Sequence, residues 1–392
     1  MILTPLHILD WIVLGVLAFL FLAQVYFYAR YMAAPARKMR RDKKQSAISS
    51  QPSENTEGVS VVLCAHNEGY NLSQYLPALL TQDYPLYEVI VVDDGSEDDT
   101  RAMVERYMTR DPRLHMTFVP FGARVQSTKK LALTLAAKAA QYDYLLLTDA
   151  DCVPESPHWI SEMMKGFAPA KDIVLGFGAY FYEKGHLNRL IRFDTLFNGL
   201  HYLGAALCGH PYMGVGRNLA YRKEFFFASG GFTHLMTNRA GDDDLFVNHV
   251  ATRTNTAVVL NRDSITWSIA KTNWKDWWQQ KCRHLSVSPS YRRGTQVRLT
   301  LEPLMRGLFY GLVITMLVLY RPMSWNVWTI PFLAAAGLFL TRWVMQTIIL
   351  NVSAKRMGLH RFGMMSVLWF DIVLPLISLV ILALPRRRNN KW

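Results

Sequence analysis

The sequence predicts an α/β domain, its sheet covered on both faces by helices, held between membrane-spanning segments. Three observations carry that expectation. Between residues 59 and 151, β-branched apolar runs alternate with segments of helical spacing. Long apolar runs occur near the start and again after residue 306, with none of that length from 42 to 302. Of the 392 residues, 51% are hydrophobic and 19% charged, which excludes disorder as the main state.

Residues 11–29 are apolar apart from Gln24. Such a stretch, as helix at about 1.5 Å per residue, nearly matches a hydrocarbon core about 30 Å thick. A secretory signal carries its positive charge ahead of the apolar run. Here residues 1–10 hold no Lys or Arg, and Arg30, Arg37, Lys38, Arg40, Arg41, Lys43 and Lys44 follow the run. The charge rule then places the N-terminus outside and the following chain in the cytoplasm, with a cleaved signal ending in MAAPA as the alternative. A basic linker over 31–57 leads to the domain, expected over 58–300.

The formal charge of +13 by itself fits either nucleic acid or an anionic membrane. Its location decides: the excess sits in residues 30–44, 355–361 and 386–391, beside apolar runs, and the rest of the chain is balanced. The membrane is therefore expected as partner, and nucleic acid is not. Cys64, Cys152, Cys208 and Cys282 form no CxxC pair, which argues against a disulfide scaffold or zinc knuckle.

Strands are expected in 59–68, 87–96, 114–120 and 144–151, with helices over 71–82, 97–110 and 128–141 and with Asn71 and Ser96 as caps. Continuously apolar strands separated by helices predict a parallel sheet, which binds ligands at its carboxyl edge. Three polar clusters fall there: His66, Asn67 and Glu68; Asp93 and Asp94; Asp149 and Asp151.

Asp93 and Asp94 precede Gly95 and Ser96, which reads either as a turn with a helix cap or as carboxylates accepting from a nucleoside. Asp149 and Asp151 are two apart, so on extended chain both point the same way, as a hard divalent cation requires, or both form a solvated strand end. GDDDL (241–245) stacks Asp242, Asp243 and Asp244 before an apolar helical stretch. The charges suit a helix start, and their crowding also raises one carboxyl toward general-base duty. Lys129 and Lys130 lead a helix, as a solvated pair or as phosphate ligands. Gln280 and Arg283, three apart, share a helix face from which a guanidinium fork reaches diphosphate oxygens.

After the domain, apolar runs at 307–320 and 325–340 read as two transmembrane helices within 304–342. Residues 343–363 read as a basic interfacial stretch. Residues 364–385 read as a transmembrane or re-entrant helix, interrupted by Asp371 and Pro375, before a basic tail at 386–392. The charge rule favours a cytoplasmic C-terminus.

In order, VVDDGS, TDAD, GDDDL and QKCRH resemble the signature of the membrane-embedded family-2 glycosyltransferases, the group of the poly-N-acetylglucosamine, chitin and hyaluronan synthases and ceramide glucosyltransferase. The likeness spans about residues 59–291. It implies a GT-A fold, a Rossmann-like mixed sheet, and a nucleotide-diphosphate sugar donor, foremost a UDP-sugar. It further implies Mg²⁺ or Mn²⁺ on Asp151 with Asp149 supporting, the nucleoside at Asp93 and Asp94, and Asp243 as base with Asp242 its neighbouring acid. Gln280 and Arg283 would meet the diphosphate and acceptor end, with Glu68 and Lys130 joining the donor site. Two departures stand out: Asp242 replaces the usual Glu and is followed by an extra Asp244, and His284 replaces the usual Trp after the Arg, with Trp277 and Trp278 as candidate substitutes.

The expected activity is inverting transfer of a sugar to a lipid or lipid-linked acceptor at the cytoplasmic face of the inner membrane. The few trailing apolar runs, His284 and the basic flanks favour it. A processive polysaccharide synthase making a glycan is the alternative. A transporter needs a path of intramembrane polar residues, of which only Asp371 is clear. A nucleotidyltransferase leaves GDDDL followed by Gln280 and Arg283 unexplained.

Overall fold

A computed structural model describes residues 8–46, 57–120, 127–236, 241–321 and 329–384. Its helices are α1 (Ile8–Phe27), α2 (Ala34–Ser46), α3 (Gly69–Leu80), α4 (Thr100–Met108), α5 (Thr128–Ala139), α6 (Trp159–Met164), α7 (His186–Leu207), α8 (Lys223–Ala228), α9 (Asp244–Val250), α10 (Trp274–Ser286), α11 (Arg293–Leu319), α12 (Thr329–Arg356) and α13 (Met364–Ala383). Its strands are β1 (Val59–Ala65), β2 (Tyr87–Asp93), β3 (Leu114–Phe118), β4 (Tyr144–Leu147), β5 (Cys152–Pro154), β6 (Ile173–Leu175), β7 (Gly178–Tyr180), β8 (Leu219–Arg222), β9 (Thr256–Val258) and β10 (Thr266–Ser268).

A seven-stranded sheet in the order β3-β2-β1-β4-β8-β6-β9 forms the centre, and a three-stranded sheet β5-β10-β7 lies beside it. The first four strands run parallel, as the helical crossovers between them require. β8 runs antiparallel to both β4 and β6, so the sheet is mixed rather than wholly parallel. Strands of three or four residues carry too little pattern to be located by periodicity, so the mixed sheet follows from the family resemblance and agrees with it.

Side-chain alternation divides the core in two. Val62, Ile90, Val92, Leu145 and Leu147 face one layer with α5 and α7, while Val61, Leu63, Val89, Val91 and Leu146 face the other with α3, α4 and α6. Strand order reverses between β1 and β4. This is the switch point at which open α/β sheets leave a crevice.

The helix starts differ from expectation. Glu68, not Asn71, is the N-cap residue of α3, and Asn71 Nδ2 instead donates to Glu68 Oε2. α4 starts at Thr100 behind Asp99, so Ser96 caps nothing. Its backbone N–H closes the Asp93 turn on Oδ1, and its hydroxyl accepts from Asn67 N–H. Within the expected linker, residues 34–46 are helical as α2, which packs on α7 and α12.

Among the described residues, four helices are long and apolar enough to cross a membrane. The first continues from α1 through a wide turn at Tyr28–Met32, closed by Ala33 N–H on Tyr28 O, into α2. There α7 comes so close that a Cβ on Gly204 would stand 2.0 Å from Tyr31 O, so only glycine permits the contact. α12 runs unbroken from Thr329 to Arg356, which corrects the division at 342 between a span and an interfacial stretch. Arg342 does not end a helix. It is 1% exposed and pairs with Asp371 of α13 at 3.0 Å, while Arg306 of α11 holds the other Asp371 oxygen at 2.6 Å. Burying these charges is tolerable because each is paired and further bonded by Gln24, Tyr310 and Gln346. α13 is one helix of 20 residues with Pro375 inside it. The expected basic tail, 386–392, and the start of the second apolar run, 325–328, lie outside the described residues.

Candidate active site

The crevice is built from the carboxyl ends of β1, β2 and β4, closed by segments that the antiparallel register brings to the same edge. Leu147 pairs with Leu219, so Gly216 and Arg217, just before β8, lie against the end of β4 and its TDAD sequence. The small sheet does the same on the other side: Ser268 pairs with Cys152 and with Tyr180, which sets Ser268 Oγ 3.2 Å from Asp151 Oδ2.

Asp149, Asp151 and Cys152 place their ligand atoms within 4.8 Å of one another. Two carboxylates facing one point suit Mg²⁺ or Mn²⁺; the thiol is buried, pushed up by that burial, and is a poor partner for a hard cation. The residues therefore fit a divalent ion held by Asp151 and Asp149. Burial alone would raise Asp149, but the Lys129 ammonium outweighs it and holds the carboxyl below its usual value, with Arg217 and Arg283 adding their charge.

Lys129 Nζ is 3.0 Å from Asp149 and 3.2 Å from Asp242, tying the TDAD cluster to the GDDDL cluster. Lys130, the residue expected at the phosphates, points elsewhere: it is fully buried and its Nζ donates to Leu235 O at 3.0 Å. Successive helical residues lie about 100° apart, so a Lys-Lys pair at a helix start places one ammonium in the crevice and the other in the core.

The three acids at α9 have distinct surroundings. Gly241 has φ +86° and a Cβ there would meet Leu245 at 2.6 Å, so glycine sets the turn that presents them. Asp242 pairs with Lys129. Asp243 caps α9, its Oδ1 accepting from Asp244 N–H and its Oδ2 from Gly216 N–H, both at 2.7 Å. Burial and then the Asp242 charge push the Asp243 carboxyl up to about 6. Asp244 is turned inward, 8% exposed, and accepts from Tyr291 Oη at 2.8 Å. Asp243 thus combines access to the crevice with a carboxyl raised by burial.

At the nucleoside end, Asp93 is 8% exposed and its Oδ1 accepts from Ser96 N–H, while Asp94 Oδ2 accepts from Thr128 Oγ1 at 2.6 Å. Asp93 thus serves the turn, and the half-buried Asp94, raised by burial, is the more available carboxylate. Glu68 is likewise raised by burial, and by Asp151 and Asp149 across the crevice. Gln280 Nε2 reaches Tyr180 Oη at 3.3 Å. His284 is exposed in the last turn of α10. Trp277 is 3% exposed and packed in the core, so it is no substitute for the missing Trp.

Arg217 escaped the sequence reading. It stacks 4.3 Å over the Tyr180 ring, and its charge falls on Asp149 and Asp151. The resemblance implies that residues 209–218 help to line the donor and acceptor pockets, but no motif there singles out Arg217, which the β8 register sets beside the acids.

A family description, Glycosyl transferase family 2, matches residues 60–228. Those residues are a family 2 glycosyl transferase domain. The family 2 match covers β1 to α8, and the GDDDL and QKCRH segments lie beyond it. Poly-β-1,6-N-acetyl-D-glucosamine synthase of Staphylococcus epidermidis is 28% identical over 123 residues, 31% of this chain and 29% of that protein. Hyaluronan synthase of Streptococcus pyogenes is 28% identical over 180 residues, 42% of this chain and 41% of that one. The matches thus span under half the length of these relatives. The mannosyltransferase PcManGT from Pyrobaculum calidifontis, solved in complex with GDP-Man and Mn²⁺, superposes with a TM-score of 0.50 at 17% identity, covering 86% of this chain and 99% of that one. The fold is that of a GT-A glycosyltransferase with apolar helices able to span a membrane.

Proposed function

We propose that the protein is an inverting, metal-dependent glycosyltransferase that moves a sugar from a nucleotide-diphosphate donor to a lipid or lipid-linked acceptor at the cytoplasmic face of the membrane. The observation that carries this reading is Asp243, a half-buried carboxylate with raised proton affinity, linked through Asp242 and Lys129 to the paired acids Asp149 and Asp151. The matching fold of a mannosyltransferase holding GDP-Man and Mn²⁺ supports a nucleotide-sugar donor and a divalent ion on Asp151 and Asp149.

Asp94 receives the nucleoside, with Asp93 holding the turn beside it, and Arg283 and Gln280 border the diphosphate and acceptor end. A bound divalent ion supplies charge neutralisation of the leaving diphosphate. Lys129 holds Asp149 ionised and keeps Asp149 and Asp242 in register. Asp243 takes the proton of the acceptor hydroxyl as its oxygen bonds to the anomeric carbon and the bond to the diphosphate oxygen breaks. One displacement inverts the anomeric centre, and the nucleoside diphosphate leaves.

The relatives' names favour a second reading, a processive synthase of the poly-N-acetylglucosamine or hyaluronan kind. Membranes carrying the full chain, offered labelled UDP- and GDP-sugars with Mn²⁺, separate the two. Label extracted into organic solvent supports the lipid acceptor, and label retained as high polymer supports the synthase. No transfer from any donor, with nucleotide binding intact, overturns both.

A further inference from the structure

Arg217 stands between the two halves of the crevice. Its backbone O accepts from Thr266 Oγ1 at 3.0 Å, two residues before Ser268, whose Oγ lies 3.2 Å from Asp151 Oδ2. Its side chain crosses to β7, where the guanidinium carbon sits 4.3 Å from the Tyr180 ring centre and Nη1 reaches Ala179 O at 3.5 Å. Tyr180 Oη in turn accepts from Gln280 of α10. One guanidinium thus joins the acids that suit a divalent ion to the helix that carries Gln280 and Arg283.

The strand makes room for this arrangement. A Cβ on Gly178 would stand 3.2 Å from Arg217 Cβ and 3.3 Å from its Nε, so glycine lets the side chain lie along β7. Stacking on a ring fixes the guanidinium plane and leaves its N–H fork able to bond within that plane. Asp149 takes its ion pair from Lys129. Arg217, among the described residues, pairs with neither Asp149 nor Asp151 and acts on both through space. A guanidinium that only balanced these acids would close on them. One held beside them on an aromatic platform suits a polyanion that shares their metal, and a diphosphate is such a group: it offers oxygens to a hard ion and further oxygens to a planar fork.

We propose that Arg217 binds the donor's diphosphate, taking phosphate oxygens beside the ion that Asp151 and Asp149 would hold. The role rests on the glycosyltransferase reading above and adds to it a donor-binding residue outside the signature segments. Arg217 accepts no proton and forms no bond to the sugar. It stabilises the charge that grows on the leaving diphosphate as the bond to the anomeric carbon breaks.

The test is binding to the full chain in detergent: calorimetry with UDP, GDP, uridine and guanosine, in Mn²⁺ and again in EDTA, and paramagnetic resonance of free Mn²⁺ without nucleotide. Arg217→Gln should weaken the diphosphate that binds wild type by about 10–100-fold, in EDTA as in Mn²⁺, and leave its nucleoside unchanged. Arg217→Lys should recover part of the loss, since a point charge replaces a fork. Mn²⁺ alone should bind Arg217→Gln at least as tightly as wild type, because a positive charge beside the ion is gone. Unchanged diphosphate affinity in Arg217→Gln assigns the guanidinium to balancing the acids and overturns the proposal. Equal weakening of nucleoside and diphosphate, or a parallel loss of Mn²⁺ affinity, overturns it as well. Should Arg217→Gln not fold, wild type decides: in EDTA the diphosphate should bind more tightly than its nucleoside, and equal affinities overturn the role. If neither UDP nor GDP binds wild type in Mn²⁺, the glycosyltransferase reading itself falls, so the two failures are distinguishable.

Discussion

The ammonium of Lys129 stands 3.0 Å from Asp149 and, among the described residues, is the one cation paired with both acidic clusters of the crevice. Replacing it leaves two half-buried carboxylates facing each other without compensation. Lys129→Met should lower kcat/KM by about 100-fold or more. Lys130→Met, which exchanges a buried ammonium on a backbone carbonyl for an apolar chain of similar length, should keep activity per folded molecule near wild type. Steady-state kinetics on both variants, normalised to nucleotide-binding protein, checks the contrast.

Asp243→Asn removes the proton acceptor but keeps the cap geometry, so kcat should fall about 10²–10⁴-fold with donor affinity little changed. Asp244→Asn, whose side chain lies under Tyr291, should leave most of the rate intact. The sign of the pH dependence follows from the base being needed deprotonated: with Asp243 raised to about 6, the rate should be flat above neutral pH and fall as pH drops through that value. A kcat–pH profile with no acid limb above the ordinary carboxylate range would count against Asp243 as the base.

Chelation should abolish transfer, and Mn²⁺ or Mg²⁺ should restore it. Asp151→Asn should demand at least about 10-fold more metal for half-maximal rate, because one of two facing carboxylates is lost. Metal titrations of wild type and variant give the number directly.

Asp371 serves two guanidiniums, Arg306 and Arg342. Asp371→Leu strands both in the interior and should cost about 3–5 kcal/mol, while Asp371→Asn, which keeps one acceptor oxygen for one guanidinium though its NH2 opposes the donors on the other side, should cost less. Thermal unfolding in detergent, followed by near-UV dichroism, orders the three proteins.

Much of the parallel half of the fold was legible because Val59–Ala65 and Tyr87–Asp93 are strands buried on both faces, and such strands read as continuous apolar runs. The TDAD and GDDDL acids were legible for a similar reason: carboxylates at an apolar strand's end or behind a glycine turn are conspicuous. Lys129 against Lys130 was not, since composition is identical and only the helix phase, set by how α5 packs, selects one. Arg217 needed the antiparallel return of β8, a four-residue strand with no local signature. Arg342 looked like the end of a span because hydropathy weighs each residue alone, and its pairing partner Asp371 lies on another helix.

The unbroken length of α12 has a mechanical consequence. At about 1.5 Å per residue its 28 residues form a rod of roughly 42 Å, longer than the hydrocarbon core, whose far end continues into Gly358 to Phe362 beside Arg192 of the domain. Near its middle Arg342 pairs with Asp371, and its last turns are tied to Ala36 O by Arg356 and to Phe362 O by Asn351, so the apolar half and the domain half form one continuous support.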